Sequence, residues 1–197
     1  MTNRITILGS TGSIGVNTLD VIRQLGEDYA VDALTGHGNV ALLAQQARDA
    51  RARLAVTADE TRYQDLKNAL AGSGIAVAAG KSGLAEAAEG YSNWVMAAIV
   101  GTAGLAPTVA AARRGANIAL ANKECLVSAG DLFIRTVADG GGRLLPVDSE
   151  HNAIFQVLEE GQRHALERII LTASGGPFRT WTREAMASVT AATARAH

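Results

Sequence analysis

Short apolar runs of strand length alternate with helical stretches through most of this 197-residue chain. The predicted strands are residues 4–8, 31–35, 54–57, 75–77, 94–99, 117–120 and 143–147, and a stretch with apolar residues at helical spacing follows most of them. Strands separated by helices form repeated βαβ units, which give a mostly parallel sheet with both faces covered. We therefore predict an α/β, Rossmann-like, doubly wound fold for residues 1–148.

The pattern changes after Asp148. Residues 153–159 predict a helix and residues 168–172 a strand, and further helical stretches follow a polar loop at residues 174–177. We expect residues 149–197 to be the start of a second, α+β domain that is incomplete in this chain.

Composition excludes several classes of protein. The chain has 18 Lys and Arg against 19 Asp and Glu, and 4% aromatic residues, so neither a basic surface nor stacking platforms for nucleic acid are expected. A single cysteine, Cys125, excludes an internal disulfide, and we interpret it as a small packed residue. Neither a secretory leader nor an apolar run of membrane-spanning length is present, so we expect a cytoplasmic protein without a membrane partner.

The glycine-rich segment Gly9-Ser-Thr-Gly-Ser-Ile-Gly15 lies between the first predicted strand and the first predicted helix. At such a turn the free N–H groups of the helix N-terminus can bind a pyrophosphate. Gly9 would permit the sharp turn, Gly12 would let a phosphate approach the backbone, and Gly15 would let the helix pack closely. A glycine-rich turn without a ligand is the alternative, because the spacing GxxGxxG is not the commoner GxGxxG.

The end of the second predicted strand should set the choice between NAD and NADP. An NAD site places a carboxylate there for the ribose 2′-hydroxyl, whereas this chain has Gly36, His37, Gly38 and Asn39. The nearest acid, Asp32, lies inside the strand, and we interpret it as an edge or solvated residue. The segment therefore favours NADP over NAD.

Two carboxylates, Asp148 and Glu150, follow the seventh predicted strand. In an extended segment residues two apart point to the same side, so both could bind one Mg²⁺ or Mn²⁺ ion, with Ser149 contacting a ligand between them. Helix capping by Asp148 or Ser149 is the alternative. A third metal ligand would have to come from elsewhere.

Polar residues also follow the sixth predicted strand, at the sheet edge where open α/β sheets bind ligands. Lys123 could hold an anionic substrate or donate a proton, and Asn122 and Glu124 could bind the ribose or carboxamide end of a cofactor. A polar loop with Glu124 at a helix N-terminus is the alternative. Ser174, in the later polar loop, could contact a phosphate or carbonyl, unless the loop is only a tight turn.

Four segments together resemble the 1-deoxy-D-xylulose 5-phosphate reductoisomerase family. They are GSTGSIG (9–15), ALANKE (119–124), PVDSEHNAIFQ (146–156) and LTASGGPFR (171–179), in the order and at the spacing of that family. The resemblance implies a homodimeric enzyme of the non-mevalonate isoprenoid pathway that uses NADPH and Mn²⁺ or Mg²⁺. The substrate would be a phosphorylated sugar, rearranged and then reduced to 2-C-methyl-D-erythritol 4-phosphate.

The resemblance also implies roles for individual residues. NADPH would contact Thr11, Gly12, Ser13, Ile14, Gly36, Gly38, Asn39, Asn122 and Glu124. Lys123, Asp148 and Glu150 would be catalytic, with Asp148 and Glu150 binding the metal. Substrate would contact Lys123, Ser149, Glu150, Ser174 and His197.

The sequence departs from the family pattern at two points, and two other functions are alternatives to the one that the resemblance implies. Gly38 stands where the family usually has a basic residue, which leaves the contact to the 2′-phosphate open, although His37 could compensate. Family members continue well beyond His197, so we expect this chain to lack full activity. A semialdehyde or homoserine-type dehydrogenase is one alternative, for which EDTA would leave activity intact. A non-catalytic nucleotide-binding module is the other, for which Asp148→Ala and Glu150→Ala would change nothing.

Overall fold

The structure, a computed structural model, describes residues 2–172 and 176–195, apart from the side chain of residue 160. The chain divides into two compact units, Met1–Asp148 and Ser149–His197.

The first unit is built on a seven-stranded sheet with the strand order β4-β3-β2-β1-β5-β6-β7, in which every pair of neighbours is parallel. Its strands are β1 (Asn3–Leu8), β2 (Tyr29–Gly36), β3 (Leu54–Thr57), β4 (Ala76–Ala79), β5 (Trp94–Ala97), β6 (Asn117–Leu120) and β7 (Leu144–Pro146). The chain starts in the middle of the sheet, builds outward on one side through β4 and then returns to build outward on the other. The predicted α/β, Rossmann-like fold is therefore confirmed.

Six α-helices belong to the described part of this unit, and their apolar residues form clusters with the strands. The helices are α1 (Ser13–Leu25), α2 (Val40–Asp49), α3 (Tyr63–Ala69), α4 (Gly80–Glu89), α5 (Leu105–Arg113) and α6 (Glu124–Gly140). One cluster joins α1, α2 and α3 to the sheet through residues such as Ile22, Leu43 and Leu66. Another joins α5 and α6 to the sheet and contains Phe133 and Val137.

The strand order places several chain segments at one edge of the sheet. β1 lies between β2 and β5, so the chain leaves toward opposite sides from two neighbouring strands. Open α/β sheets bind ligands at such a switch point, beyond the carboxyl ends of the strands. The segments that follow β1, β5 and β6 emerge there, beginning with Gly9, Ala98 and Ala121.

Asp32 differs from the expectation. It lies on β2, an interior strand, and its side chain is fully buried, so the interpretation as an edge or solvated acid is wrong. Arg53 donates from Nε (3.0 Å) and Nη2 (3.1 Å) to the two carboxylate oxygens, and Arg4 lies 3.7 Å away. The hydrogen bond to Asp32 is the main reason why the pKa of Arg53 is raised. The sequence did not reveal this pairing because β2 and β3 meet only in the fold.

The described part of the second unit consists of short helices and irregular segments. Its helices are α7 (Ser149–Val157), α8 (Arg183–Met186) and α9 (Ala191–Arg195), with two 3-10 turns at Glu160–Ala165 and Gly176–Phe178. The strand predicted at residues 168–172 is wrong, since the described part of this unit forms no strand. Ile169, Ile170 and Leu171 are all more than half exposed, and no neighbouring strand pairs with them. β-rich composition alone does not make a strand, because its backbone groups need a partner.

None of the helices formed by the described residues combines the length and the apolar composition that a membrane span requires.

Candidate functional site

The turn after β1 depends on two of its three glycines for packing. Gly9 has φ +92°, and a Cβ there would lie 2.7 Å from the Ala98 carbonyl oxygen. A Cβ on Gly15 would overlap the backbone of Gly9 and Ser10, so α1 can approach the turn only with glycine at this position. Both roles agree with the sequence analysis.

Gly12 is different, because the fold itself does not use its small size. It is the N-cap of α1, it is exposed, and a Cβ there would meet only the Gly9 carbonyl oxygen, at an ordinary 3.6 Å. As a glycine it supplies no side chain to cap the helix, and the first turn of α1 contains no acidic residue. The free N–H groups of this turn form the positive end of the helix dipole, and neither a capping side chain nor an acid of the first turn compensates it. Such a helix N-terminus suits an anion such as a pyrophosphate.

Residues that the sequence analysis did not identify hold this turn in place. Ser10 is fully buried; its Oγ donates to Gln46 Oε1 (2.8 Å), and Gln46 Nε2 donates to the Ser10 carbonyl oxygen (2.9 Å). Thr35 adds two more bonds: its Oγ1 accepts from Gly9 N (2.9 Å) and its carbonyl oxygen from Ser10 N (2.7 Å). The sequence did contain one indication of this contact. Gln46 is polar, yet it lies on the buried face of α2 together with the apolar residues Leu43 and Ala47.

The end of β2 lies beside the turn. A Cβ on Gly36 would be 3.1 Å from Thr11 Cγ2, so these two predicted cofactor residues are neighbours. Gly38 is exposed and has open space around it. Asn39 is the N-cap of α2, where its Oδ1 accepts from Leu42 N at 3.2 Å. Binding by Asn39 would therefore use its amide NH₂ group.

A cleft at the carboxyl edge of the sheet brings five predicted site residues together. Its lining consists of Ile14, Ala98, Ile99, Val100, Ala121, Asn122, Lys123, Glu124 and Asp148. Ile14 connects the cleft to the N-terminus of α1, and Lys123 is exposed directly before α6. The cleft thus combines a helix N-terminus with one cationic and two anionic side chains.

Asn122 is the buried polar residue of this cleft. It is 4% exposed, and its Nδ2 donates to the carbonyl oxygens of Ile99 and of Gly101, the latter at 2.8 Å. Its Oδ1 is buried and has no hydrogen-bond partner, the one such side-chain atom among the residues that the structure describes. A buried acceptor without a partner costs about 1–3 kcal/mol, so a donor supplied by a ligand would be stabilising here.

Cys125 follows Glu124 directly in the chain but does not line the cleft. It is fully buried in the core of α5 and α6, and burial raises the pKa of its thiol. The interpretation as a packed residue is consistent with this position, because a thiolate is disfavoured there.

The carboxylate pair is placed differently from the expectation. Asp148 is the last residue of the first unit, whereas Ser149 and Glu150 are the first two residues of α7. The segment is helical from Ser149 onward, so the argument from an extended chain is wrong. No group of three or more acidic, His or Cys side chains within residues 2–172 and 176–195 is arranged to hold a metal ion. Metal binding by Asp148 and Glu150 stays a prediction, and helix capping by Asp148 or Ser149 stays the alternative to it.

Two predicted substrate residues, Ser174 and His197, lie outside the described residues. A second cavity of the first unit is remote from the cleft: residues of α1 and α2 line it, together with Tyr29 and Val31 at the start of β2.

Comparison with known families agrees with this geometry. Residues 5–130 match the family model described as 1-deoxy-D-xylulose 5-phosphate reductoisomerase, and residues 144–197 match the model of the C-terminal domain of the same enzyme. The chain is 74% identical to the 1-deoxy-D-xylulose 5-phosphate reductoisomerase of Rhizobium rhizogenes over 98% of its own length and 49% of the relative's. It is 73% identical to that of Rhizobium meliloti, over 98% of this chain and 50% of the relative. The chain thus spans about half the length of these curated relatives.

Solved structures show the same similarity. A reductoisomerase from Zymomonas mobilis in complex with NADPH matches with a TM-score of 0.89 and 54% identity, over 96% of this chain and 50% of that one. A DOX-P reductoisomerase in complex with NADPH, fosmidomycin and magnesium matches with a TM-score of 0.85 and 39% identity, over 97% of this chain and 50% of that one.

Proposed function

The chain belongs to the 1-deoxy-D-xylulose 5-phosphate reductoisomerase family, and on that premise we propose that it binds NADPH and takes part in the metal-dependent conversion of 1-deoxy-D-xylulose 5-phosphate to 2-C-methyl-D-erythritol 4-phosphate. The single observation that carries the proposal is the turn after β1. Gly12 is open where the fold does not need a glycine, and it caps a helix whose first turn contains no acidic residue. Similar proteins were solved with NADPH, which supports the same ligand here.

Asn122, the buried polar residue of the cleft, supports the fit of NADPH independently of the glycine-rich turn. Asn122 Oδ1 lacks a partner, and NADPH offers donors in its ribose hydroxyls and its carboxamide NH₂ group. We propose that Thr11, Gly12, Ser13 and Ile14 bind the pyrophosphate end of the cofactor, and that Asn122 and Glu124 bind the nicotinamide end. Residues 1–148 would then be the NADPH-binding domain.

NADPH is preferred over NADH in this proposal because no carboxylate is available at the end of β2. Asp32 is buried and forms an ion pair with Arg53, and residues 36–39 are Gly, His, Gly and Asn. An NAD site would need an acid here for the 2′-hydroxyl, whereas a segment without acidic residues, exposed at residues 37–39, can accept a 2′-phosphate. Gly36, Gly38 and Asn39 would lie against that phosphate.

We propose that the remaining polar residues bind the substrate and a metal ion. Lys123 is an exposed cation on the cleft and would attract a phosphorylated sugar. Asp148 and Glu150 offer the carboxylate oxygens that Mg²⁺ and Mn²⁺ prefer, and Ser149 stands between them with a hydroxyl for the substrate. When bound, NADPH supplies a hydride and the metal ion acts as a Lewis acid.

The other roles stay predictions from the resemblance. Residues 149–197 would belong to the catalytic domain, with Ser174 and His197 contacting substrate. Assembly as a homodimer and a cytoplasmic location are predictions of the same kind.

Fluorescence titration of the 197-residue chain with NADPH and with NADH, each with and without Mn²⁺, tests the proposal. We expect saturable NADPH binding and at least about ten-fold weaker NADH binding, since a phosphate contact adds a charge-assisted interaction. Equal binding of both cofactors would contradict the interpretation of residues 34–39. Absence of NADPH binding would contradict the proposed function.

A further inference from the structure

The side-chain amide of Asn122 has only one orientation that the fold accepts. Its two N–H groups are directed to the carbonyl oxygens of Ile99 and Gly101, in the segment that follows β5. An amide turned by 180° would place Oδ1 against both carbonyls, acceptor against acceptor. The acceptor Oδ1 is therefore the only part of this side chain that is left for a ligand.

Gly104 provides the space that this orientation requires. Its backbone angles, φ −77° and ψ −15°, are those of an ordinary helical residue, so its conformation does not call for glycine. A Cβ at Gly104, however, would overlap Asn122 Nδ2 and would lie 2.9 Å from the Ile99 carbonyl oxygen. Both atoms belong to the hydrogen bond that fixes the Asn122 amide.

We propose that Gly104 is a positioning residue for NADPH binding: it lets Asn122 keep its NH₂ group on the Ile99 and Gly101 carbonyls, so that Oδ1 accepts from the cofactor. Asn122 Oδ1 consequently selects a hydrogen-bond donor of the ligand, which in NADPH is a ribose hydroxyl or the carboxamide NH₂ group. This inference rests on the proposed function. Gly104 contacts no ligand itself and acts through Asn122.

A double-mutant cycle on NADPH affinity tests this coupling. Gly104→Ala and Asn122→Ala are each expected to weaken NADPH binding by about ten-fold, the effect of one lost hydrogen bond in a buried site. The double variant should bind no more weakly than Asn122→Ala alone, because removing the amide removes the overlap with Nδ2 and releases the Ile99 carbonyl from its hydrogen bond, so that it can move away from the added methyl group. Additive losses would assign Gly104 a general packing role and would overturn the proposal, as would unaltered binding by Gly104→Ala.

Gly130→Ala is the matched control. Gly130 lies in α6, and a Cβ there would meet no atom within 4 Å, so this variant should bind NADPH as the unmodified chain does. Thermal unfolding of each variant separates loss of binding from loss of folding.

Asn122→Asp tests the same geometry if Gly104→Ala does not fold. This change keeps the shape and an acceptor but removes both donors, so the side chain loses its bonds to Ile99 and Gly101. We expect it to weaken NADPH binding about as much as Asn122→Ala, and unaltered affinity would contradict the proposal.

An acetylpyridine analogue of NADPH, which carries a methyl in place of the carboxamide NH₂, identifies the donor. The Asn122→Ala effect disappears with this analogue if the carboxamide is the donor and persists if a ribose hydroxyl is.

Failure of this inference is distinguishable from failure of the proposed function. If the unmodified chain binds NADPH while the cycle shows no coupling, only the inference is wrong. If the unmodified chain does not bind NADPH, the proposed function is wrong as well.

Discussion

Gln46 and Ser10 are joined by two hydrogen bonds, Ser10 Oγ to Gln46 Oε1 at 2.8 Å and Gln46 Nε2 to the Ser10 carbonyl oxygen at 2.9 Å. The pair connects the middle of α2 to the glycine-rich turn, 36 residues earlier in the chain. Because both residues are buried, the loss of either bond would leave a buried polar group without its partner. The conformation of the candidate phosphate-binding turn therefore depends on a side chain from the next helix.

Gln46→Met should destabilise the chain and weaken NADPH binding. The substitution keeps the length of the side chain but leaves the Ser10 carbonyl and hydroxyl without partners, at a cost of about 1–3 kcal/mol each. Chemical unfolding measures the loss of stability, and fluorescence titration measures the loss of affinity. The adjacent Gln45 is exposed, so Gln45→Met is the control and should change neither quantity. Equal effects from both variants would show that the Ser10 contact is unimportant.

Gly12→Ala and Gly15→Ala should affect different properties. At Gly15 an added methyl group overlaps the backbone of Gly9 and Ser10, so the free energy of unfolding should fall by about 1–3 kcal/mol or more. At Gly12 the methyl group has room in the free protein, so stability should change by less than about 1 kcal/mol while NADPH binding weakens. Thermal unfolding and NADPH titration of both variants separate the two cases. Undiminished affinity in Gly12→Ala would mean that the pyrophosphate does not approach this residue.

Asp32→Asn should lower stability without changing the choice of cofactor. The change removes the charge that pairs with Arg53, weakens one of the two hydrogen bonds and removes the other, because the amide has a single acceptor oxygen. The cost should be about 2 kcal/mol, since Arg53 is partly exposed and can turn to water. The ratio of the NADPH and NADH dissociation constants should stay constant, because the carboxylate is buried and faces Arg53. A shift of that ratio would place Asp32 in the cofactor site.

Local sequence predicted most of the first unit. β3 and β6 have the predicted bounds, because each is a short apolar run between polar turns, and α1 begins at Ser13, within the glycine-rich segment 9–15. Contacts between distant segments were not predictable in this way. The Asp32–Arg53 pair, the Gln46–Ser10 pair and the Asn122 bonds to the segment after β5 join residues about 20 to 36 positions apart, so no local pattern records them. The strand predicted at residues 168–172 is wrong for the same reason, since a strand depends on a partner that the run itself does not specify.

Cys125 should be unreactive toward thiol reagents while the chain is folded. Burial raises the pKa of the thiol above its usual value, so less thiolate is present at any given pH, and the reagent cannot reach the side chain. Because the folded pKa is raised, the neutral thiol stabilises the fold fully below the unfolded pKa, and this stability is lost as the pH rises through the folded pKa. Labelling at pH 8 in buffer and in denaturant checks this: rapid labelling of the folded chain would contradict the buried position.

The most direct test of the central claim, that a dinucleotide binds at the carboxyl edge of the sheet, is an NMR titration of the isotope-labelled 197-residue chain with NADPH. The account predicts that the backbone amides of Gly12, Ser13 and Ile14 and the side-chain amide of Asn122 shift together and saturate with one affinity. Shifts confined instead to the remote cavity between α1 and α2, around Leu19, Tyr29 and Arg51, would contradict it.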